Sequence, residues 1–192
     1  MKTAFLRGGA MLLALALSAC ATGGGNGSGG GDVEVARFHL GGPSIAKTQI
    51  AIEPFDRADV NRPDYPAVAA TIARELTRLG WTVVDTTGQS EQIALIDVEQ
   101  GSREAIATLS AARIGRGVAA TVPAGTSADI TATLLEVAIR RRSDATVFWE
   151  GRAVTEARTG SAAAATPAAV ERLASALFRD FPGESGRTIR VR

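Results

Sequence analysis

The stretch that decides the fold reads DITATLLEVAIRRRSDATVFWEGRAVTEAR and spans residues 129–158. Two runs rich in Thr, Val, Ile and Ala, Asp129 to Arg141 and Thr146 to Arg158, flank the polar segment Arg142-Ser143-Asp144-Ala145. Runs of β-branched and apolar residues on both sides of a short polar turn are typical of an antiparallel hairpin. The sequence therefore predicts a long pair of strands here, and this is the strongest strand signal of the chain.

Within this pair, the side chains alternate between the two faces of the sheet. The apolar positions of the first strand change phase near Leu134, which predicts a β-bulge there. In the second strand, we expect Trp149 to anchor the core. Its neighbour Phe148 is then expected on the opposite face, where it marks a binding face if no helix covers that side.

Two helices are predicted, one between the early strands and one after the hairpin. The first begins at Asp64-Tyr65-Pro66 and runs to Leu79, with Gly80 in the left-handed position and Trp81 packed back on Leu76. The second begins with Thr166 and Pro167 as its cap, and Pro182-Gly183 ends it. The apolar stripes of the two helices comprise Val68, Ile72, Leu76 and Leu79 in the first, and Val170, Leu173, Ala174, Leu177, Phe178 and Phe181 in the second.

Four further strands are predicted in segments with alternating or continuous apolar residues: Val33 to Leu40, Thr48 to Phe55, Trp81 to Asp85, and Gln92 to Gln100. The segment near 101–127 lacks a clear period and is interpreted as a long loop or a poorly formed hairpin arm. The predicted fold class is α/β, in two layers. It has a mixed sheet of about five or six strands with two helices packed on one face.

Composition divides the chain into three parts: residues 1–19, residues 20–32, and one domain over residues 33–192. The domain is long enough to bury a core. The formal net charge is +1, and removal of Lys2 and Arg7 with the first part leaves the rest near neutral. A near-neutral domain argues against nucleic acid as a partner.

The first part is typical of a secretory signal peptide, since Lys2 and Arg7 precede a short apolar run from Gly8 to Leu17. This run is too short to span a bilayer, which needs about 20 apolar residues. The four residues 17–20, Leu-Ser-Ala-Cys, resemble the lipobox of bacterial lipoproteins. The resemblance implies cleavage between Ala19 and Cys20, diacylglycerol on the Cys20 sulfur, and a further acyl chain such as palmitate on the new amine.

Cys20 is the only cysteine, so no internal disulfide can form. An ordinary signal peptide with an incidental cysteine is the alternative. Residues 22–31 are Gly, Asn and Ser apart from Thr22, and this composition predicts a flexible linker. Ten residues of that kind have an r.m.s. span of roughly 16 to 19 Å. Since Ala21 is not the Asp that retains lipoproteins in the inner membrane, the rule for this class predicts the periplasmic side of the outer membrane.

Several short motifs of the domain occur together in one known family. They are Leu79-Gly80-Trp81 after the first helix, Asp144, Val147-Phe148-Trp149 and Gly151 in the strand pair, and Phe181-Pro182 near the end. In these motifs the chain resembles a bacterial lipoprotein family catalogued as domain of unknown function 4136. The resemblance implies an envelope location and an α/β domain, and it implies no known reaction. Residues 101–126 depart from the family pattern, which leaves the edge of the sheet undetermined.

No arrangement of residues points to catalysis. Gly115-x-Gly117-x-x-Ala120 has the spacing of a dinucleotide-binding loop, but Pro123 and Gly125 are incompatible with the helix that this loop requires. His39 is the only histidine, and it is expected as a partly exposed strand residue. Carboxylates that pair for acid–base hydrolysis are the enzymatic alternative, but their spacing singles out no two. We therefore expect no cofactor, no metal site, no catalytic residues and no enzymatic activity.

Basic residues cluster at the hairpin tip, in the run Arg140, Arg141 and Arg142, and alternate in the C-terminal tail. The run is interpreted either as a contact for anionic head groups or an acidic partner, or as a solvated tip. With Phe148, it forms the candidate binding face.

These features predict a lipid-anchored, periplasm-facing envelope lipoprotein that acts as a non-catalytic binding or accessory module. The alternative is an auxiliary lipoprotein of a lipid or envelope transport or assembly complex. The expected partners are the membrane, through the lipid anchor, and an envelope protein.

Overall fold

A computed structural model describes residues 31–39, 45–85, 90–112 and 129–192 of the chain. In these residues it contains a seven-stranded sheet and three α-helices. The strands are β1 (Val33–His39), β2 (Gln49–Pro54), β3 (Thr82–Val84), β4 (Gln92–Gly101), β5 (Ile130–Arg141), β6 (Val147–Arg158) and β7 (Thr188–Val191). The helices are α1 (Tyr65–Arg78), α2 (Arg103–Ala112) and α3 (Thr166–Leu177).

The predicted hairpin, β5 and β6, lies at the centre of the sheet, whose strand order is β3-β2-β4-β5-β6-β1-β7. β2 is parallel to β3 and β4, whereas the other neighbouring pairs are antiparallel. The expected mixed α/β architecture is therefore confirmed. The sheet has more strands than predicted because the C-terminal tail forms β7, which pairs with residues 33–36 of β1.

The expectation of a loop near 101–127 is wrong for residues 103–112, which form α2. Ile106 of α2 is fully buried against Ala132, Leu134 and Val154, on the sheet face opposite α1 and α3. Leu109 of the same helix is 36% exposed. The helix was missed because its side chains are mostly small and form no apolar stripe. Residues 113–127 of the expected loop lie outside the described residues.

β5 is buried on both faces, and this explains its two apolar phases. Every residue from 132 to 139 is buried. The register with β6 is continuous from Ile130 to Ile139, so the expected bulge near Leu134 is wrong. A central strand that packs on both sides needs no change of phase. The irregularity lies instead between Ile139 and Arg140.

α1 and α3 pack on one face of the sheet, as predicted. The core on this face contains buried residues of the predicted stripes, namely Val68, Ile72, Leu76, Val170, Leu173, Ala174, Leu177 and Phe178. From the hairpin, the same cluster contains Leu135, Val137, Ile139, Trp149 and Ala153. Full burial of one such large side chain contributes about 1.5–3 kcal/mol, so this cluster stabilises the fold more than the four-residue cluster beneath α2 does.

The end of α1 has the predicted Schellman geometry. Gly80 has a φ of 102°, and the Trp81 backbone N–H donates to the Leu76 carbonyl over 3.0 Å. Trp81 and Leu76 are both buried in the core. The Trp81 indole Nε1 also donates to Gln92 Oε1 at 2.8 Å, which connects the end of α1 to β4.

α3 begins at the predicted position, but Thr166 does not cap it. The N-cap residue is Ala165, which makes no side-chain cap hydrogen bond. The Thr166 hydroxyl instead donates to Gln100 Oε1 at 3.2 Å, and so connects the start of α3 to β4. The helix ends at Leu177, before the predicted Pro182-Gly183 stop.

Trp149 lies between the hairpin and α3, and it is fully buried as predicted. Its ring stacks on Phe178 at a centroid distance of 5.5 Å, and its Nε1 donates to the Pro182 carbonyl at 2.9 Å. Gly151 leaves the space that the indole occupies. A Cβ at Gly151 would lie 2.8 Å from both Leu177 Cδ1 and Trp149 Cζ2.

Arg37 of β1 closes the end of α3. Its Nε donates to the Leu177 carbonyl at 2.9 Å, and its Nη2 donates to the carbonyls of Ala176 at 2.8 Å and Arg179 at 2.9 Å. The last carbonyls of a helix have no partner within the helix and carry partial negative charge, which a guanidinium offsets. Burial lowers the pKa of Arg37 below its usual value.

We expect Gly151→Ala to lower the free energy of unfolding by about 1–3 kcal/mol, because the added methyl group overpacks the core beneath Trp149. Chemical denaturation followed by tryptophan fluorescence measures this change. Gly101→Ala is the control, because a Cβ at Gly101 lies 3.4 Å from the Ala105 Cβ, an ordinary contact. Equal stabilities of the two variants would contradict the packing argument.

Candidate functional site

The sheet face opposite α1 and α3 is covered only in part by the described helices. α2 covers the end near Ala132 and Val154. Nearer the β5–β6 turn, a groove of about 840 Å³ lies over β4, β5 and β6. This volume falls within the range of small-molecule pockets, about 300–1,000 Å³.

The floor of the groove combines apolar and charged side chains. Leu95 of β4 lies opposite Ala138 of β5, and both are buried. Two residues further along β4, Asp97 lies opposite Glu136, which in turn lies opposite Arg152 of β6. The hairpin register thus aligns three ionisable side chains across three strands.

Arg152 pairs with two carboxylates. Its Nε lies 2.5 Å from Glu136 Oε1, and its Nη2 lies 3.1 Å from Glu150 Oε1. The Arg152 side chain is 3% exposed, against 7% for Glu136 and 13% for Glu150. A buried ion pair adds little net stability, but loss of one partner leaves an uncompensated charge in the interior. Loss of Arg152 would therefore remove a buried countercharge from both carboxylates.

Large apolar side chains border the groove. Phe55, which follows β2, is 40% exposed, and Val147 at the start of β6 is 36% exposed; both line the groove. Phe38 of β1 is 40% exposed and lies opposite Glu150. These are three of the five exposed large apolar side chains in the described residues. Single exposed apolar residues are common, but a cluster beside a concave surface marks a contact site.

Two arginines of the predicted binding face make structural contacts. Arg141 Nη1 donates to Asp144 Oδ2 at 2.7 Å, and the Arg141 guanidinium lies 5.1 Å from the ring centroid of Phe148. Arg142 Nη2 donates to Glu53 Oε1 at 2.6 Å. Both side chains stabilise the hairpin tip through these contacts. The positive charge that the tip presents to a partner is therefore smaller than predicted.

Phe148 is half-buried against the helix-side core, so its expected position on the opposite face is wrong. Ile139 pairs with Trp149 and Arg140 pairs with Val147, which makes Phe148 the extra residue of the bulge. The bulge therefore brings Val147, and not Phe148, to the groove.

Arg140 is the member of the predicted run that lines the groove. Its side chain is half-buried, and its Nε is shielded from solvent without a hydrogen-bond partner. A donor that is shielded from solvent and has no acceptor lowers the free energy of unfolding. This atom is therefore a candidate contact for a ligand.

Sequence reasoning missed Phe55, Val147 and the charged row of Asp97, Glu136 and Arg152. Their proximity depends on the register between three strands, which no local pattern defines. One available signal is a charge within an apolar run, since Glu136 stands between Leu135 and Val137.

The other predicted site residues lie elsewhere. Ala19, Cys20 and the glycine motif at 115–120 fall outside the described residues. His39 is half-buried in β1, as expected, and its Nε2 lies 3.1 Å from the Gly183 carbonyl oxygen. In the described part of the chain, no three His, Cys, Asp or Glu side chains are grouped so that they could hold a metal ion. No described helix has the length and apolar character that a membrane span requires.

Comparison with known proteins finds limited similarity, and no family model matches the chain. An uncharacterized protein of Zymomonas mobilis subsp. mobilis is 29% identical, over 83% of this chain and 80% of that protein. A PDZ domain protein from Parabacteroides distasonis has a structure similar to 84% of this chain, with a TM-score of 0.52 and 11% identity. The chain spans 39% of that protein's length, and the similarity concerns the fold alone.

The PelC dodecamer from Paraburkholderia phytofirmans gives a TM-score of 0.41 at 13% identity, over 73% of this chain and 95% of that one. This score is too low to support an argument about the present chain.

We expect Arg152→Met to lower the free energy of unfolding by about 3–5 kcal/mol, because Glu136 and Glu150 lose their shared buried cation. Arg187→Met is the control. Arg187 pairs with Glu184 at 2.8 Å, with side chains 68% and 57% exposed, and its loss should have little effect on stability because solvent screens this pair. Urea denaturation of both variants measures the difference. A loss for Arg152→Met no larger than that of the control would show that the buried pair is not needed.

At the hairpin turn, hydrogen bonds from Thr146, and then the bond from Arg141, lower the pKa of Asp144 to about 2. Because this pKa lies below the unfolded value of about 3.9, the carboxylate stabilises the fold above that value. This contribution is lost as the pH falls through about 2. We expect Asp144→Asn to be less stable than wild type near neutral pH, with a difference that shrinks as the pH approaches 2. An NMR titration of the carboxyl carbon tests the cause, and a midpoint near the unfolded value would contradict it.

Proposed function

We propose that the protein is a lipid-anchored envelope lipoprotein, on the periplasmic side of the outer membrane, whose domain is a non-catalytic binding module. The binding surface is the groove on the sheet face opposite α1 and α3. The anchor and the groove are separate parts of this proposal, and they are supported by different residues.

The observation that carries the anchor is the sequence of residues 17–20, Leu-Ser-Ala-Cys, at the end of a short apolar run. Residues 21–30 separate Cys20 from Gly31, whose N–H donates to the Glu156 carbonyl at 3.1 Å and so begins the described domain. Two or more acyl chains at Cys20 would hold the protein firmly, because each buried CH₂ contributes about 0.8 kcal/mol. Ala21 favours the outer membrane over the inner one by the rule for this class.

The groove supports a binding role through its shape and its lining. It is concave, with Phe55 and Val147 exposed at its rim and Leu95 and Ala138 buried in its floor. The other seven lining residues are charged. In ligand sites, polar groups placed beside apolar side chains fix the orientation of the ligand. The lining charges include buried pairs, so their positions are set by the fold before any ligand arrives.

A second candidate is an auxiliary role in a lipid or envelope transport or assembly complex. The exposure of Phe38, Phe55 and Val147 on one side of the domain favours it, because such clusters mark contact surfaces. The same membrane anchor would serve either role.

We expect the purified wild-type protein to begin at Cys20 and to carry the mass of its acyl groups in intact-mass spectrometry. Cys20→Ser should carry no lipid and should not be cleaved before position 20, because lipidation of the thiol precedes cleavage in this class. Ser18→Ala is the control, since it keeps a small residue at that position. An unmodified Cys20 in the mature wild type, or a Cys20→Ser protein processed and membrane-bound like wild type, would overturn the anchor.

A further inference from the structure

We propose that the groove binds a single-chain amphiphile with an anionic head group, and that Arg140 receives that head group. This inference rests on the proposed role of the groove as the binding surface. It names the chemistry of the ligand and the residue that recognises its charge.

The carboxylates of the groove already have partners. Asp56 Oδ1 accepts the Ala58 N–H at 2.9 Å, at the start of the short 3-10 helix Arg57–Asn61. Glu136 and Glu150 pair with Arg152. Asp97 is buried and also has an electrostatic or hydrogen-bond partner. Each carboxylate of the groove therefore has a partner within the protein.

Two guanidinium groups of the groove have no such partner among the described residues. Arg140 and Arg57 both line the groove, and neither forms a side-chain hydrogen bond or ion pair in the part of the chain that the structure describes. The Arg140 Nε is also shielded from solvent. A guanidinium presents several donors in one plane and binds carboxylate or phosphate through two parallel hydrogen bonds. An anionic group at this end of the groove would supply the missing acceptor.

Four apolar side chains of the groove can contact an alkyl chain. Leu95 and Ala138 form the apolar part of the floor, and Phe55 and Val147 stand exposed at the rim. Arg140 pairs with Val147 across the strands, so the cation and the apolar rim are neighbours. A ligand that meets both must carry its charge and its apolar part close together, as an alkyl phosphate or a fatty acid does.

The strands beneath the groove argue against an extended peptide as the ligand. β5 has β4 on one side and β6 on the other, so its backbone groups are used within the sheet. A peptide that adds to a sheet needs an open edge with free backbone groups. On this face only side chains are available, and a peptide lying there would leave its own backbone groups without partners from the sheet.

The test uses the full-length lipidated protein in nanodiscs of zwitterionic phosphatidylcholine. The probe is dodecyl phosphate with a diazirine on its alkyl chain, and labelled residues are mapped by mass spectrometry after irradiation. We expect saturable labelling near Val147 and Ala138. Because charge-assisted hydrogen bonds are lost, Arg140→Gln should weaken binding by about ten- to a hundredfold, whereas the exposed arginine variant Arg187→Gln should bind as wild type does.

A second pair of variants keeps the test valid if Arg140→Gln fails to fold. Phe55→Ser should weaken binding of the alkyl chain, and the side chain is 40% exposed, so the fold should tolerate the change. Val60→Ser is its matched control, because Val60 is 54% exposed and does not line the groove.

Competition with unlabelled compounds separates the two halves of the ligand. Unlabelled dodecyl phosphate should compete well, and inorganic phosphate or dodecanol should each compete at least tenfold more weakly. Equal competition by inorganic phosphate would reduce the site to an anion site, and equal competition by dodecanol would reduce it to an apolar patch. Either result overturns the proposal, as does labelling outside the groove or labelling that Arg140→Gln leaves unchanged.

The intact mass of the same preparation reports separately on Cys20. A protein without lipid that is labelled in the groove would overturn the anchor alone. A lipidated protein without labelling in the groove would overturn the ligand alone.

Discussion

The indole of Trp149 lies between the central hairpin and α3, and the arrangement of the domain depends on this contact. The ring occupies the space that a side chain at position 151 would fill, so Gly151 is required there. Phe178 stacks on the ring, and the Pro182 carbonyl accepts a hydrogen bond from the indole N–H. These contacts join β6, α3 and the segment after α3 at one point. Arg37 holds the end of α3 at the same place. One face of the sheet is thus covered by α1 and α3, which pack against it.

The groove lies on the other face of the sheet. α2 covers only its far end through Ile106, while the end near the β5–β6 turn carries the groove. β5 lies between β4 and β6, so the charged side chain of Glu136 that it carries on the groove face is buried. Such a charge needs a partner, and Glu136 pairs with Arg152. The bulge at Phe148 changes which residues of β6 face the groove. The same few residues of the hairpin therefore determine both the core and the candidate site.

Most of the packed framework could be predicted from the sequence, because it depends on local patterns. The hairpin, α1, α3, the Schellman end at Gly80 and the burial of Trp149 all follow from periodicity and turn chemistry. α2 could not be predicted, because it lacks an apolar stripe, and β7 depends on pairing with β1 at the other end of the chain. The bulge was misplaced because two apolar phases in a strand indicate either a bulge or burial on both faces. For the site, sequence reasoning selected Arg140, Arg141 and Arg142 together, and only the contacts of each side chain separate Arg140 from the others.

We propose that the groove binds an amphiphilic ligand in the envelope. The most direct measurement places a photoreactive amino acid at Val147 in the protein in living cells, and a second one at Val60, which is exposed outside the groove. We expect a lipid-mass adduct after irradiation from position 147 and none from position 60. No adduct at position 147, or equal adducts at both positions, would contradict it.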